Sequence, residues 1–193
     1  MSHRTRPPLP AGGPLVAPEP QLRDDSIRLE PLARALAPAM RWVMEPDADT
    51  ARFTYIPSSP DGGFLETWLG RYEDGWREGT RAGFAVRDSA GDAVGFAAFV
   101  KLDLAGAEGE LGYVVAPAAR GRGVASRAVG LLTSWGLEEL GLHRIELRID
   151  PANAASRRVA EHNGYRLEGV LRSVAFKEGR RSDVAVWSRL AGD

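Results

Sequence analysis

Cysteine is absent from this chain of 193 residues. That excludes disulfides, thiolate zinc sites, iron–sulfur clusters and any cysteinyl acyl-enzyme. Histidine is scarce as well: the three histidines, His3, His143 and His162, are too scattered to build a local metal site, so no metal is expected. There is no charge excess, because 25 Lys+Arg stand against 26 Asp+Glu for a formal net charge of −1. Neutralising phosphates needs a net basic face, so nucleic acid is not an expected partner. Long apolar runs are missing too. The longest, Ala93 to Val100, falls far short of the ~18 residues of a membrane span. The basic N-terminus is not followed by an apolar stretch of the secretory-signal kind. These absences lead to the expectation of a cytoplasmic protein with no membrane partner. What remains, 44% hydrophobic and 26% charged, is the average of a globular domain, and the length suits one domain with a real core.

Six of the thirteen prolines fall in residues 1–24, where they preclude a helix. This segment reads as an N-terminal arm, either lying on the domain or hanging free, with the folded domain over 25–193. From Ile27 the pattern is regular. Ile27–Glu30 alternates as a strand, Leu32 to Met44 reads as a helix interrupted at Pro38, and Phe64 to Trp76 repeats the helical spacing. Phe84–Arg87 and Ala93–Leu102 form a hairpin about Gly91, and Glu110–Val115 is a further strand. A helix carries Val124, Ala128, Leu131, Leu132 and Trp135, with Gly141 beyond its end. His143–Ile149 alternates strictly, Asn153 caps a short helix to about His162, and Tyr165–Leu171 and Ser182–Leu190 close the chain around a turn at Glu178-Gly179. The order predicts a mixed α/β sheet, antiparallel at first and parallel around the central helix.

The stretch with most chemistry follows strand 110–115. Arg120-Gly121-Arg122-Gly123-Val124-Ala125 opens a helix. Glycines there let backbone N–H groups approach an anion, and the helix dipole adds positive potential. Arg120 and Arg122 add cations suited to phosphate oxygens. The arrangement reads as a diphosphate cradle, against the plainer reading of a glycine-softened loop with two solvated arginines. A nucleotide P-loop would need a lysine at the helix start. A dinucleotide fingerprint is a nearer rival, with Asp150 where a ribose-binding acid could sit. The Ala116–Ala119 insertion and the hairpin-rich first half oppose that reading.

These residues resemble a known family. Arg120-x-x-Gly123-x-Ala125 matches the Gln/Arg-x-x-Gly-x-Gly/Ala acetyl-CoA signature of the GNAT superfamily of N-acetyltransferases. The tail Asn153-Ala-Ala-Ser156 through Asn163-Gly164-Tyr165 to Gly169 is similar to the second half of its RimJ/RimL-like branch. The likeness runs from Ile27 to Leu190 and includes Trp42, Glu45-Pro46 and Arg52-Phe53, with Glu where Asp is usual before that proline. It implies a single-domain mixed sheet of about seven strands flanked by about four helices, with the fourth and fifth strands splayed. Acetyl-CoA, as co-substrate, would lie in that V and bond to strand backbone. By the same resemblance, N–H groups near Val114 and Val115 would hold the thioester oxygen, residues 120–125 the diphosphate, and Asn153 and Ser156 the pantetheine and sulfur.

Lacking cysteine, the chain would transfer acetyl by direct attack of an amine. A free α-amino group, with pKa ~7.7–8.0 against ~10.4 for lysine, needs a weak base alone. Glu110 matches a family position that often bears a glutamate and is the candidate base, weighed against an ordinary strand-end carboxylate; Glu66, Glu73 and Glu78 stand in reserve. Ser156 is the candidate donor to the leaving thiolate, weighed against a first-turn serine satisfied by backbone. The expected activity is acetyl transfer to a protein or peptide α-amino group. A small amine acceptor and a non-catalytic acyl-CoA-binding module are the alternatives, and a homodimer is compatible by analogy.

Overall fold

The computed structural model describes residues 13–19 and 21–193. Its frame is one sheet of seven strands. In chain order these are β1 (Ile27–Pro31), β2 (Ala82–Asp88), β3 (Ala93–Asp103), β4 (Glu108–Val115), β5 (Arg144–Ile149), β6 (Arg166–Lys177) and β7 (Arg180–Leu190). They lie side by side as β1-β2-β3-β4-β5-β7-β6. Four α-helices flank them: α1 (Ala48–Phe53) and α2 (Phe64–Glu78) on one face, α3 (Val124–Ser134) and α4 (Ala154–His162) on the other. Every described pairing in the sheet is antiparallel except β4 with β5. Among the described residues no helix is long and apolar enough to cross a membrane.

The parallel pairing is short, running from Glu108↔Arg144 to Leu111↔Leu147. Beyond it the ends of β4 and β5 are unpaired with each other, which is the expected splay. The neighbouring strand supplies a cause. The β3–β4 register shifts between Phe99 and Lys101, opposite Leu111 and Glu110, and a bulge of this kind bends a strand and increases its twist. The bulged Val100 lies across β4 where a Cβ on Gly112 would come within 2.9 Å of its Cγ1. Glycine at 112 is therefore part of what lets the twist occur where β4 leaves β5.

Alternation along the strands fills both faces with apolar side chains. Under α3, Phe84, Phe99, Leu111, Ile145 and Leu147 form the larger core. Trp135, in the π-helical turn that extends α3, packs against Phe84 at 5.7 Å and Phe99 at 6.0 Å between ring centroids. Under α2, Leu69, Tyr72, Phe96 and Val114 join Met40 and Val43 in a second cluster.

The segment 32–44 departs from the sequence expectation. It forms two 3₁₀ turns, Arg34–Leu36 and Arg41–Met44, in place of an interrupted α-helix. Pro38 lacks an N–H and restricts the residue before it, so the apolar spacing buries Met40 and Val43 without a continuous helical ladder. The first α-helix comes later, at α1, where the Asp47 carboxylate accepts the Thr50 N–H at 3.0 Å as its cap. Of the N-terminal arm, residues 1–12 and Pro20 lie outside the described residues. The rest lies on the domain. The Leu15 N–H donates to the Trp76 carbonyl at 2.8 Å, and Leu15 and Leu22 pack on the larger core.

Candidate active site

Where β4 and β5 diverge, the structure opens a cavity of about 680 Å³. Val114 and Val115 line it from β4, and Gly121, Gly123, Val124 and Ala125 from the loop and first turn of α3. Asn153 and Ser156 line it from the start of α4. The sequence had separated these residues into two motifs; the fold brings them to one cleft. Gly121 and Gly123 hold φ of +75° and +78°, left-handed values that glycine adopts without strain. Gly123 is the N-cap of α3, and no side chain among the described residues caps that end. The first-turn N–H groups are thus open toward the cleft. Asn153 caps α4, its Oδ1 accepting the Ser156 N–H at 3.0 Å. That bond occupies the backbone of Ser156, and its side chain contributes to the cavity wall.

Two predicted residues are placed differently from the rest. Arg122 is exposed and is not among the lining residues. Arg120 lines the cleft, but its guanidinium has other partners. It donates to both Asp47 oxygens at 2.6 and 2.9 Å, to Thr50 Oγ1 at 2.8 Å and to the Val115 carbonyl at 3.2 Å. Arg120 holds the Asp47 carboxyl far below the usual carboxylate range, chiefly through those hydrogen bonds. The side chain thus ties the cradle loop to α1, and in this structure its guanidinium is engaged by Asp47 and Thr50 while it still lines the cleft. The preference is electrostatic and geometric, since a carboxylate fits the planar guanidinium in a bidentate pair.

Glu110 sits at the vertex, on the last turns of register before the strands part. It is half-buried, and among the described residues it has no salt bridge. Burial pushes its carboxyl above the ordinary range, and nearby Glu146 pushes the same way, against Arg148 and Lys101. Glu146, its register partner, is tied to Arg144 at 2.7 Å. Glu110 is outside the cavity lining, on the β4 face shared with Val114 and the α2-side cluster. The reserve candidates are not in the lining either. Glu73 accepts the Arg34 N–H at 2.7 Å, and Glu66 and Glu78 are exposed on α2.

The structure also reveals contributors that the sequence did not signal. Asp49, Thr50, Phe53 and Thr54 of the α1 region line the cavity. The hairpin between β6 and β7 reaches over to the same helix. Lys177 Nζ donates to the carbonyls of Ala51, Thr54 and Ile56, and Glu178 accepts from Ser58 N at 2.8 Å and Ser58 Oγ at 2.7 Å. Burial lowers the Lys177 ammonium below its usual value. Tyr113 is another missed member. It lines the cavity, and its hydroxyl is buried without a hydrogen-bond partner among the described residues. A second, larger cavity of about 940 Å³ shares Gly123, Ser126 and His162 with the first and continues toward Arg127, Arg166 and Arg189.

Comparison with known proteins fits this architecture. Residues 26–166 match the acetyltransferase (GNAT) domain family. "Uncharacterized N-acetyltransferase p20" of Bacillus licheniformis is 32% identical over 99 residues, which cover 51% of this chain and 56% of that one. "Putative ribosomal N-acetyltransferase YdaF" of Bacillus subtilis is 30% identical over 74% of this chain and 70% of its own length. Spermidine N(1)-acetyltransferase of Escherichia coli is 24% identical over 80% and 81%. Among solved structures, one described as a "probable acetyltransferases (GNAT family)" from Chromobacterium violaceum superposes with a TM-score of 0.80 at 28% identity, over 100% of this chain and 96% of that one. RimL, a ribosomal L7/L12 α-N-protein acetyltransferase solved with coenzyme A, shares the fold at a TM-score of 0.79 and 18% identity, over 90% and 99%. With the splayed strands, the glycine-capped helix and a family match over most of its length, the chain belongs to the GNAT acetyltransferases.

Proposed function

We propose that the protein transfers the acetyl group of acetyl-CoA directly to a primary amine, namely the α-amino group of a protein or peptide, in the cytoplasm. The observation that carries this reading is the cleft itself, with a helix N-terminus that no side chain caps among the described residues; where the strands part, outside the cavity lining, stands a carboxylate with no salt bridge among the described residues. The open first-turn N–H groups of α3 suit a diphosphate. When bound, acetyl-CoA supplies an activated acyl group on a thiol leaving group. Backbone N–H groups near Val114 and Val115 stabilise the charge that develops on the acyl oxygen. Glu110 receives the proton of the attacking amine, directly or through water, and burial, which pushes its carboxyl up, makes it a better proton acceptor than an ordinary glutamate. The carbon–nitrogen bond forms from the amine lone pair, and the carbon–sulfur pair departs with sulfur beside Ser156. Arg127, Arg166 and Arg189 of the adjoining cavity would supply positive charge to the distal, phosphate-bearing end of the cofactor. A relative described as a ribosomal acetyltransferase supports the protein acceptor.

The test pairs cofactor binding with an acceptor screen. Gly123→Asp keeps a residue type that tolerates left-handed backbone but places a negative charge at the anion site. CoA affinity by calorimetry should fall at least tenfold, while Gly123→Asn should retain much more of it. Released CoA should be seen with peptide α-amines in preference to spermidine. Equal affinity in all three proteins would remove the diphosphate assignment, and turnover of polyamines alone would replace the acceptor.

A further inference from the structure

Tyr113 has no part in the reaction described above, and yet it lines the cleft with a buried hydroxyl that lacks a hydrogen-bond partner among the described residues. The strand places it on the face of β4 that looks toward α4, two residues beyond the last β4–β5 pair. Its hydroxyl is removed from solvent and lacks a hydrogen-bond partner among the described residues. An orphaned buried hydroxyl is destabilising, so its presence calls for a use. One neighbouring hydroxyl is already committed: Tyr165 is bonded to Thr133 at 2.7 Å in the core behind. The other is Ser156, which lines the same cavity and whose proximity acts on the Tyr113 phenol. The Ser156 backbone is fixed by the Asn153 cap, leaving its Oγ to turn.

From this juxtaposition we infer that Tyr113 is a positioning residue for the leaving-group side of the reaction: its O–H donates to Ser156 Oγ, which points the serine hydrogen at the cofactor sulfur. This rests on the acetyl-CoA reading of the cleft. Serine alone can donate in any of its rotamers. A fixed donor on its oxygen removes the rotamers that would aim the hydrogen elsewhere. Burial pushes the Tyr113 hydroxyl up to about 12, so it keeps its proton throughout the working pH range and acts as donor. No proton has to leave the tyrosine. The electron pair of the broken carbon–sulfur bond stays on sulfur, which is received as a hydrogen-bonded thiolate, while the amine proton goes to Glu110.

The prediction is read without an acceptor. Bound CoA carries a free thiol whose ionisation is followed by thiolate absorbance in the ultraviolet. A hydrogen bond donated to the thiolate lowers its pKa. Relative to the wild type, Tyr113→Phe and Ser156→Ala should each raise the pKa of the bound thiol by about one unit, and the double variant should raise it no further than Ser156→Ala alone. The charged groups lining the cavity, Asp49, Arg120, Arg158 and His162, are unchanged across the set and cancel in the comparison. Tyr113→Phe keeps the ring and removes the unpaired hydroxyl, so its melting temperature should be no lower than that of the wild type. In turnover, kcat should fall about tenfold for Tyr113→Phe with KM for acetyl-CoA little changed. Additive shifts, or a Tyr113→Phe thiol that titrates like the wild type, would overturn the inference while leaving the cofactor reading in place. Loss of CoA binding by the wild type would overturn both. Normal thiol shifts without turnover of any peptide would overturn the acceptor assignment alone.

Discussion

At the scale of single residues, burial decides which carboxylate can act as a base. Glu73 and Glu146 are bound to Arg34 and Arg144, so their oxygens are already engaged. Glu110 has no such partner among the described residues, and burial raises it. Its replacement by Gln keeps size and hydrogen bonding but removes the proton-accepting oxygen pair, and kcat should fall ~10²–10⁴-fold with CoA affinity nearly unchanged. The sign of the pH effect follows from the direction of the shift. The active form is the carboxylate, so wild-type activity falls as pH drops through the Glu110 pKa, and this loss begins at a higher pH than the ~4.3 of an ordinary glutamate. Glu110→Gln should lose that acid limb and recover partly at high pH, where the amine deprotonates unaided. Full activity of the variant across pH would move the base elsewhere. Glu110 stood out as a candidate from its family-matched place at the start of a strand; its lack of a salt bridge among the described residues was not legible, because that depends on where Arg144 and Arg148 of another strand come to lie.

At the scale of elements, α1 shows what a sequence pattern leaves out. The glycine-rich start of α3, the alternation of β5 and the Asn153 cap all read directly, because each is set by residues within one turn or one strand. Helix α1 has six residues, too few to be stable alone, and it is held by distant side chains. Arg120 braces its start from 73 positions away in the sequence, and Lys177 gathers the carbonyls at its end from 123 positions beyond Thr54. No local signal encodes either contact. The 32–44 segment failed for the opposite reason: its helical spacing is real and buries Met40 and Val43, but Pro38 denies it the hydrogen-bond ladder. Lys177→Met keeps the aliphatic stem and removes the donors, leaving three carbonyls short of a partner. It should lower stability by about 1–3 kcal/mol and speed proteolysis within residues 51–58, with KM for acetyl-CoA rising because Phe53 and Thr54 line the cavity. Lys177→Arg should restore part of the loss. Unaltered cleavage and KM in Lys177→Met would show that the hairpin does not hold the helix.

At the scale of the whole molecule, the order of strands places β1 and β6 at the two edges of the sheet, and an exposed edge invites pairing with another chain. The described part of the N-terminal arm covers one of them. Arg23 bridges Arg28 antiparallel, and the Leu22 carbonyl accepts the Leu29 N–H at 2.8 Å. Asp24 accepts the N–H groups of Ser26 and Ile27 at 2.7 and 2.9 Å and pairs with Arg127 of α3 at 3.1 Å. Leu15 and Leu22 add apolar contact to the larger core. Arg127 lines the arginine-lined continuation of the cavity, but Leu15, Leu22, Arg23 and Asp24 line neither cavity. Removal of residues 1–24 should therefore leave a folded protein that still binds CoA, but one less stable by about 1–3 kcal/mol. That loss lowers Tm by several degrees for a chain of this size. The uncovered outer edge of β1, whose Leu29 N–H loses the Leu22 carbonyl, should also raise self-association in light scattering. An unchanged Tm would mean that the covering strand contributes nothing. Loss of cooperative unfolding would mean that the arm is part of the core, and the domain would then have to be redrawn to include it.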